Sequence, residues 1–150
     1  MHELNFTQTV PLPLEKCWAF FSTPQNLRHI TPPYLGFSDI NASNTSMYAG
    51  QIIMHKIRPF SWLPMDWITE ITHVNEPFYF IDEQRLGPYK FWHHEHHFEK
   101  VDKGTLITDK IYYKLYGGII GRAINKLKIK EDLEAIFLYR KQKIQEIFGS

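Results

Sequence analysis

After Gly117-Gly118 the sequence settles into a helical rhythm that runs almost to its end. Ile120, Ile124, Leu127, Leu133, Ile136, Phe137, Ile144 and Ile147 recur at a mostly 3.6-residue period, with lysines and arginines between them. Read as one helix reaching Phe148, the segment holds about 30 residues and spans about 45 Å. Helices draw most of their stability from covering an apolar stripe, so the preceding chain must offer a broad apolar surface.

That surface reads as a sheet. From Leu35 to about Tyr116 the chain is rich in aromatic and β-branched residues, broken at strand-length intervals by Asn44, Gly50, Pro59, Pro64, Glu76-Pro77, Gly87-Pro88 and Asp102-Lys103-Gly104. Six successive antiparallel strands fit these breaks. An earlier strand, His2 to Val10, sets Leu4, Phe6 and Val10 on one side, with only Gln8 interrupting the apolar set. Pro13 suits the first turn of a helix carrying Leu14, Cys17, Trp18 and Phe21 at i, i+3, i+4 and i+7. Thr23-Pro24 opens a second short helix with Leu27 and Ile30, stopped by Pro32-Pro33. The expectation is an α+β fold: a curved antiparallel sheet of about seven strands wrapped around a long C-terminal helix, with two short helices between strands 1 and 2. One helix does not fill the space under a strongly curved sheet, so a cavity is expected there.

Composition narrows the function. A chain of 150 residues suits one domain over 1–150, and the sequence carries no repeat, low-complexity tract or linker. The formal charge of +1 gives no reason to expect nucleic acid or an anionic membrane. The charge is uneven: residues 1–109 sum to −4 and residues 110–150 to +5, which reads as a solvated basic helix face. The single cysteine, Cys17, excludes an internal disulfide and fits a reducing compartment; it reads as a small buried apolar group. The N-terminus lacks the basic head and apolar run of a signal peptide, and no apolar run approaches the ~20 residues that span a bilayer. A cytoplasmic protein, monomeric or weakly dimeric, is expected, so the sequons at Asn5, Asn41 and Asn44 carry no weight.

Several stretches, in this order, carry a resemblance: PLPLEKCWAFFSTPQNL near the start, WLPMDWITEI, FIDEQRLGPYKFWHHEHHFE followed by GTLITDKIYY, and IFLYR in the last helix. Together they resemble the helix-grip fold of the START/SRPBCC superfamily, which includes polyketide cyclase/dehydrase-like proteins, and most of all its small bacterial ligand-binding members. The resemblance covers nearly the whole length. It implies a fold and a ligand cavity with polar groups on the inner wall, and it supplies no substrate.

The stretch KFWHHEHHFEK, Lys90 to Lys100, packs four of the eight histidines into five residues. As a helix it would place His93 and His97 on one face, but H-E-x-x-H is not met, since Phe98 stands three after Glu95. Its flanking Pro88 and Gly104 and its aromatics favour a strand, in which side chains split by parity. Trp92, His94, His96 and Phe98 then face one way; Phe91, His93, Glu95, His97 and Glu99 face the other. Carboxylates are costly to bury, so the first set is turned inward. The outward His93 and His97 are expected in water, or paired with Glu95 or Glu99 of a neighbouring molecule. Parity also groups Phe78, Phe80, Asp82, Gln84 and Leu86 on the preceding strand, and Ile107, Asp109, Ile111 and Tyr113 on the following one.

Three readings of the inward polar group compete. Asp82 and Asp109 accept hydrogen bonds from His94, His96 or Gln84 in a self-satisfied network; the group forms the polar end of an apolar ligand pocket; or it holds a metal. A metal needs a third ligand: two imidazoles about 7 Å apart at Cα can share an ion and an aspartate could complete the site, but no cysteine or third inward histidine reinforces it, so no metal is expected, nor any cofactor. YGGIIGR lacks the spacing of a phosphate loop and reads as a hinge. Trp62, Met65 and Trp67 read as cavity wall and rim, because a base-stacking platform would interleave basic residues and here Asp66 intervenes.

The first expectation is therefore a binding module for a small hydrophobic ligand (lipid, aromatic or polyketide-like), contacted by Trp67, Phe80, Asp82, Gln84, Trp92, His94, His96, Phe98, Asp109 and Tyr113. The alternative is a cyclase/dehydrase-type enzyme using a His/Asp pair as general acid/base, its candidates being His94, His96, Asp82 and Asp109. A third reading uses the basic helix face to hold an acidic partner.

Overall fold

The structure, a computed structural model, describes residues 1–39, 46–60 and 63–149, with backbone alone at 39, 59, 60, 63 and 119–126. Asn41, Asn44 and Trp62 lie outside the described residues, and the side chains of Ile120 and Ile124 do too. β1 is His2–Val10, α1 is Leu14–Phe21, and two 3-10 helices follow at Pro24–Ile30 and Pro33–Leu35. Then come β2 (Ser38–Asp39), β3 (Gln51–Phe60), β4 (Leu63–Asn75), β5 (Tyr79–Leu86), β6 (Phe91–Val101), β7 (Gly104–Lys114) and α2 (Ile119–Phe148). The sheet runs β1-β7-β6-β5-β4-β3-β2, antiparallel at every pairing. Six strands are long and β2 has only two residues, so the expected strand after Leu35 is an edge fragment. This is the helix-grip arrangement.

Local chemistry explains the elements. β1 buries Leu4 and Val10 and half-buries Phe6 on one face, and its one polar interruption, Gln8, donates from Nε2 to the Lys141 carbonyl of α2 at 2.9 Å. Pro13 caps α1, whose Leu14, Cys17 and Trp18 are buried. Burial pushes the Cys17 thiol up to about 12, so it is an apolar filler and no nucleophile at neutral pH. Thr23 does not cap the next helix: its hydroxyl donates back to the Ala19 carbonyl at 2.8 Å. Pro33 does not simply stop that helix, since it opens the second 3-10 turn.

Register shifts bend the sheet, between Ile57 and Phe60 on β3 and at Ile68/Thr69 and Ile71/His73 on β4. The concave face so made is too deep for α2 to fill. α2 packs on β1 and on the first 3-10 helix, burying Leu133, Phe137 and Ile144. Leu127 and Ile147, expected on the buried stripe, are 68% and 45% exposed, because at about 100° per residue they fall to the side of the line through Leu133, Phe137 and Ile144. On its solvent side the lysines pair along the helix, Lys128 with Asp132, Lys130 with Glu134 and Lys143 with Glu146.

Two apolar clusters sit at opposite ends of the inner face. One joins Val10, Leu14, Trp18, Phe80, Phe98, Ile107 and Ile144. The other joins Leu4, Tyr89, Trp92, Ile111, Tyr113, Leu133 and Phe137. The polar group lies between them.

Candidate functional site

On β6, Trp92, His94, His96 and Phe98 are all buried, while Phe91 and Glu99 are exposed and His93, Glu95 and His97 half-exposed. β7 buries Ile107, Asp109, Ile111 and Tyr113 in the same way. Pairing then sets the neighbours. Asp82 stands opposite His94, which stands opposite Ile111; one step along, Phe80 stands opposite His96, which stands opposite Asp109. The two aspartates therefore flank the two imidazoles on a diagonal, within reach of both.

Each imidazole bridges both carboxylates. His94 Nε2 lies 2.8 Å from Asp109 Oδ1 and its Nδ1 3.6 Å from Asp82 Oδ2. His96 Nε2 lies 2.6 Å from Asp82 Oδ2 and its Nδ1 3.1 Å from Asp109 Oδ1. The rings are 3.7 Å apart, and His96 also stacks on Phe80 at 4.2 Å. Burial opposes ionisation of both aspartates, but the hydrogen bonds and charges of His94 and His96 outweigh it and hold both carboxyls below the usual range. Burial, reinforced by the neighbouring His96 charge, pushes His94 down. Burial also opposes protonation of His96, yet its hydrogen bonds to Asp109 and Asp82 prevail and raise it. Of the two imidazoles, His96 is the one whose protonated form the carboxylates favour.

Three members of this group face a cavity of about 630 Å³ between the sheet, the 3-10 helices and α2. Asp82, His94 and His96 line it together with Trp67, Phe80 and Trp92; the rest of the wall is mostly apolar, including Ile53 and Ile57 of β3, Ile71 of β4 and Ile136 of α2. Trp67 and Trp92 meet edge to face at 5.4 Å. Met65 also lines the cavity.

Four of the sequence's candidates are placed elsewhere. Gln84 is diverted into the β5–β6 connection: its Nε2 donates to the Tyr89 carbonyl at 2.7 Å and its Oε1 accepts from the Tyr89 N–H at 3.1 Å. Phe98 is packed under Trp18 and Phe21, and Tyr113 among Tyr89 and Trp92. Asp109 lies behind the imidazoles, lining a second cavity of about 320 Å³ between β1 and α2. Phe78 and Leu86, grouped inward by parity, are 52% and 54% exposed at the ends of β5.

Outside, the histidines are paired within the molecule rather than with a neighbour. His93 Nδ1 lies 2.9 Å from Glu83 and its Nε2 3.2 Å from Glu95; His97 Nε2 lies 2.8 Å from Glu95. Burial opposes protonation of His93, but its hydrogen bonds to Glu83 and Glu95 raise it.

Arg140 was not foreseen. It lines both cavities, its guanidinium lies 4.7 Å from the centre of the Phe137 ring, and its buried Nε has no hydrogen-bond partner among the described residues. Its position was legible: it follows Leu133 and Phe137 at helical spacing, on the stripe that ends at Ile144.

No family model matches the sequence, and no curated protein matches it. Solved structures do. The chain is similar to protein CV1439 from Chromobacterium violaceum, at 8% identity with a TM-score of 0.74, covering 100% of this chain and 99% of that one. It is similar to protein Ms6760 from Mycobacterium smegmatis, at 17% identity and TM-score 0.68, over 97% and 89%. It is also similar to Ara h 8.0201, at 13% identity and TM-score 0.60, over 97% and 98%. At these identities the likeness establishes the fold alone. Among the described residues, no helix is long and apolar enough to cross a membrane.

Proposed function

We propose that this chain is a single helix-grip domain of the START/SRPBCC kind that binds a small hydrophobic ligand, acting in the cytoplasm. The observation that carries the reading is the cavity: about 630 Å³, apolar along most of its wall, with Asp82, His94 and His96 gathered at one place. Pockets for small molecules have this composition, in which apolar burial supplies affinity and a few fixed polar groups orient the ligand. Burial contributes on the order of 25 cal/mol per Å² of apolar surface.

Trp67 and Trp92 report on occupancy, since both line the cavity. Titration with a series of fatty acids and fused aromatic compounds is expected to quench their fluorescence saturably, and native mass spectrometry to show a 1:1 complex. A protein that gives neither signal across the series, in the presence or absence of divalent metal, does not bind ligands of this class.

A second reading is favoured by the His94–Asp109 contact of 2.8 Å at the cavity wall. A neutral imidazole oriented by a buried carboxylate is equipped to remove a proton next to a carbonyl, as a cyclase or dehydrase requires. Exchange of the α-protons of a bound ketone with deuterated water, abolished by His94→Gln, tests it.

A further inference from the structure

We propose that Asp82, His94 and His96 form a binding site for a divalent first-row transition-metal ion, with Asp109 orienting both imidazoles from behind and the open coordination positions facing the large cavity. The sequence left an inward aspartate as a possible third ligand without favouring a metal; the strand register brings Asp82 to both imidazoles.

Sidedness is the central observation. Both imidazoles direct one nitrogen at the same Asp109 oxygen, at 2.8 Å for His94 Nε2 and 3.1 Å for His96 Nδ1. Their other nitrogens, His94 Nδ1 and His96 Nε2, then converge with Asp82 Oδ2, at 3.6 and 2.6 Å. One donor atom from each of the three residues lies within 4.8 Å of the others. Donors held about 2.1 Å from a zinc-sized ion are themselves roughly 3 to 3.5 Å apart, so small side-chain adjustments make the triangle a coordination face.

The tautomers agree with this arrangement. With Nε2–H of His94 donating to Asp109, the Nδ1 of the neutral ring presents a lone pair toward an anionic oxygen of Asp82. Two lone pairs so aimed repel unless a cation lies between them. At His96 the metal replaces the proton shared with Asp82, while Nδ1–H remains on Asp109. A carboxylate that accepts from the distal nitrogen of a ligating histidine is the usual support of such sites.

The charges facing the site complete the case. With both imidazoles neutral, Asp82 and Asp109 carry two negative charges, and among the described residues Arg140 of α2 sets a positive charge against both. These three groups sum to one net negative charge. Two imidazoles and one carboxylate suit zinc, cobalt or ferrous iron better than magnesium or calcium, which prefer all-oxygen sets. Three protein donors also leave room for a ligand oxygen on the cavity side.

Metal binding is measurable without any knowledge of the hydrophobic ligand. Titrating the metal-free full chain with Co²⁺ is expected to produce visible absorption that saturates at one ion per chain and is displaced by Zn²⁺. In the unsubstituted protein, Co²⁺ should broaden the ring-proton NMR signals of His94 and His96 before those of His93 and His97, a readout that depends on no variant folding. Asp82→Asn and His96→Gln should abolish the band, and Asp109→Asn should weaken binding about 10- to 100-fold. His97→Gln, on the outer face, should leave it unchanged. The proposal is overturned if the unsubstituted protein gives no band, or if broadening begins at His93 and His97. Undiminished affinity in both Asp82→Asn and His96→Gln would overturn it as well.

Discussion

His94 and Asp109 stand on adjacent strands two residues out of register, and their side chains close that offset diagonally, Nε2 to Oδ1 at 2.8 Å. Since Asp109 also receives His96, one carboxylate holds both rings of the cavity wall.

Asp109→Asn keeps the shape and removes the charge. The amide oxygen still accepts from both imidazoles, but the two bonds lose their charge assistance in a buried place, at a cost of about 1–3 kcal/mol. Urea denaturation of the metal-free protein should show the midpoint fall with an unchanged slope; an unaltered midpoint would mean that the network contributes nothing to stability.

The same network makes metal-free stability depend on pH. Asp82 and Asp109 have lowered native pKa values, so their contribution is present above the unfolded value of about 3.9 and is lost as pH falls through the native values. His94 is also lowered, so its burial as a neutral ring costs stability once pH falls below about 6.5. His96 is raised and has the opposite sign: its contribution is full below about 6.5 and fades as pH rises through its native value. Melting temperatures measured in a chelator should therefore drop steeply on the acid side. Asp109→Asn should flatten that drop below pH 4, and an acid limb identical to that of the unsubstituted protein would contradict the account.

Ile53→Trp tests the cavity itself. Ile53 is buried on β3 and lines the cavity, where an indole has space that a close-packed core would deny. Ligand-induced quenching should disappear while the melting temperature stays within a few degrees of the original. Persistent binding with unchanged affinity would place the ligand elsewhere.

Gly104→Ala tests the hairpin that carries Asp109. Gly104 has φ +137°, and an added Cβ would lie 1.9 Å from the Val10 carbonyl oxygen. Backbone strain plus that collision should cost at least about 3 kcal/mol. Gly118→Ala, with nothing within 4 Å of its Cβ position, serves as the neutral control in the same denaturation assay.

Much of this molecule was legible in the one-dimensional pattern. The alternation of Trp92, His94, His96 and Phe98 with charged neighbours set their face, because strand geometry sends successive side chains to opposite sides and carboxylates resist burial. The 3.6-residue stripe after Gly118 set the long helix, and Pro13 and Pro24 marked the starts of the short ones.

Other features depended on neighbours that a sequence does not order. Gln84 has the right parity, yet the turn beside it offered the Tyr89 backbone as a nearer partner. Leu127 was read into the helix stripe, yet it stands about 120° around the helix from Leu133 and is exposed. Face and period are local properties, written residue by residue into the chain. Inter-strand register, sheet curvature and helix placement arise only on packing, and they decided that Asp82 meets His96, that Asp109 stands behind both rings, and that Arg140 closes the wall.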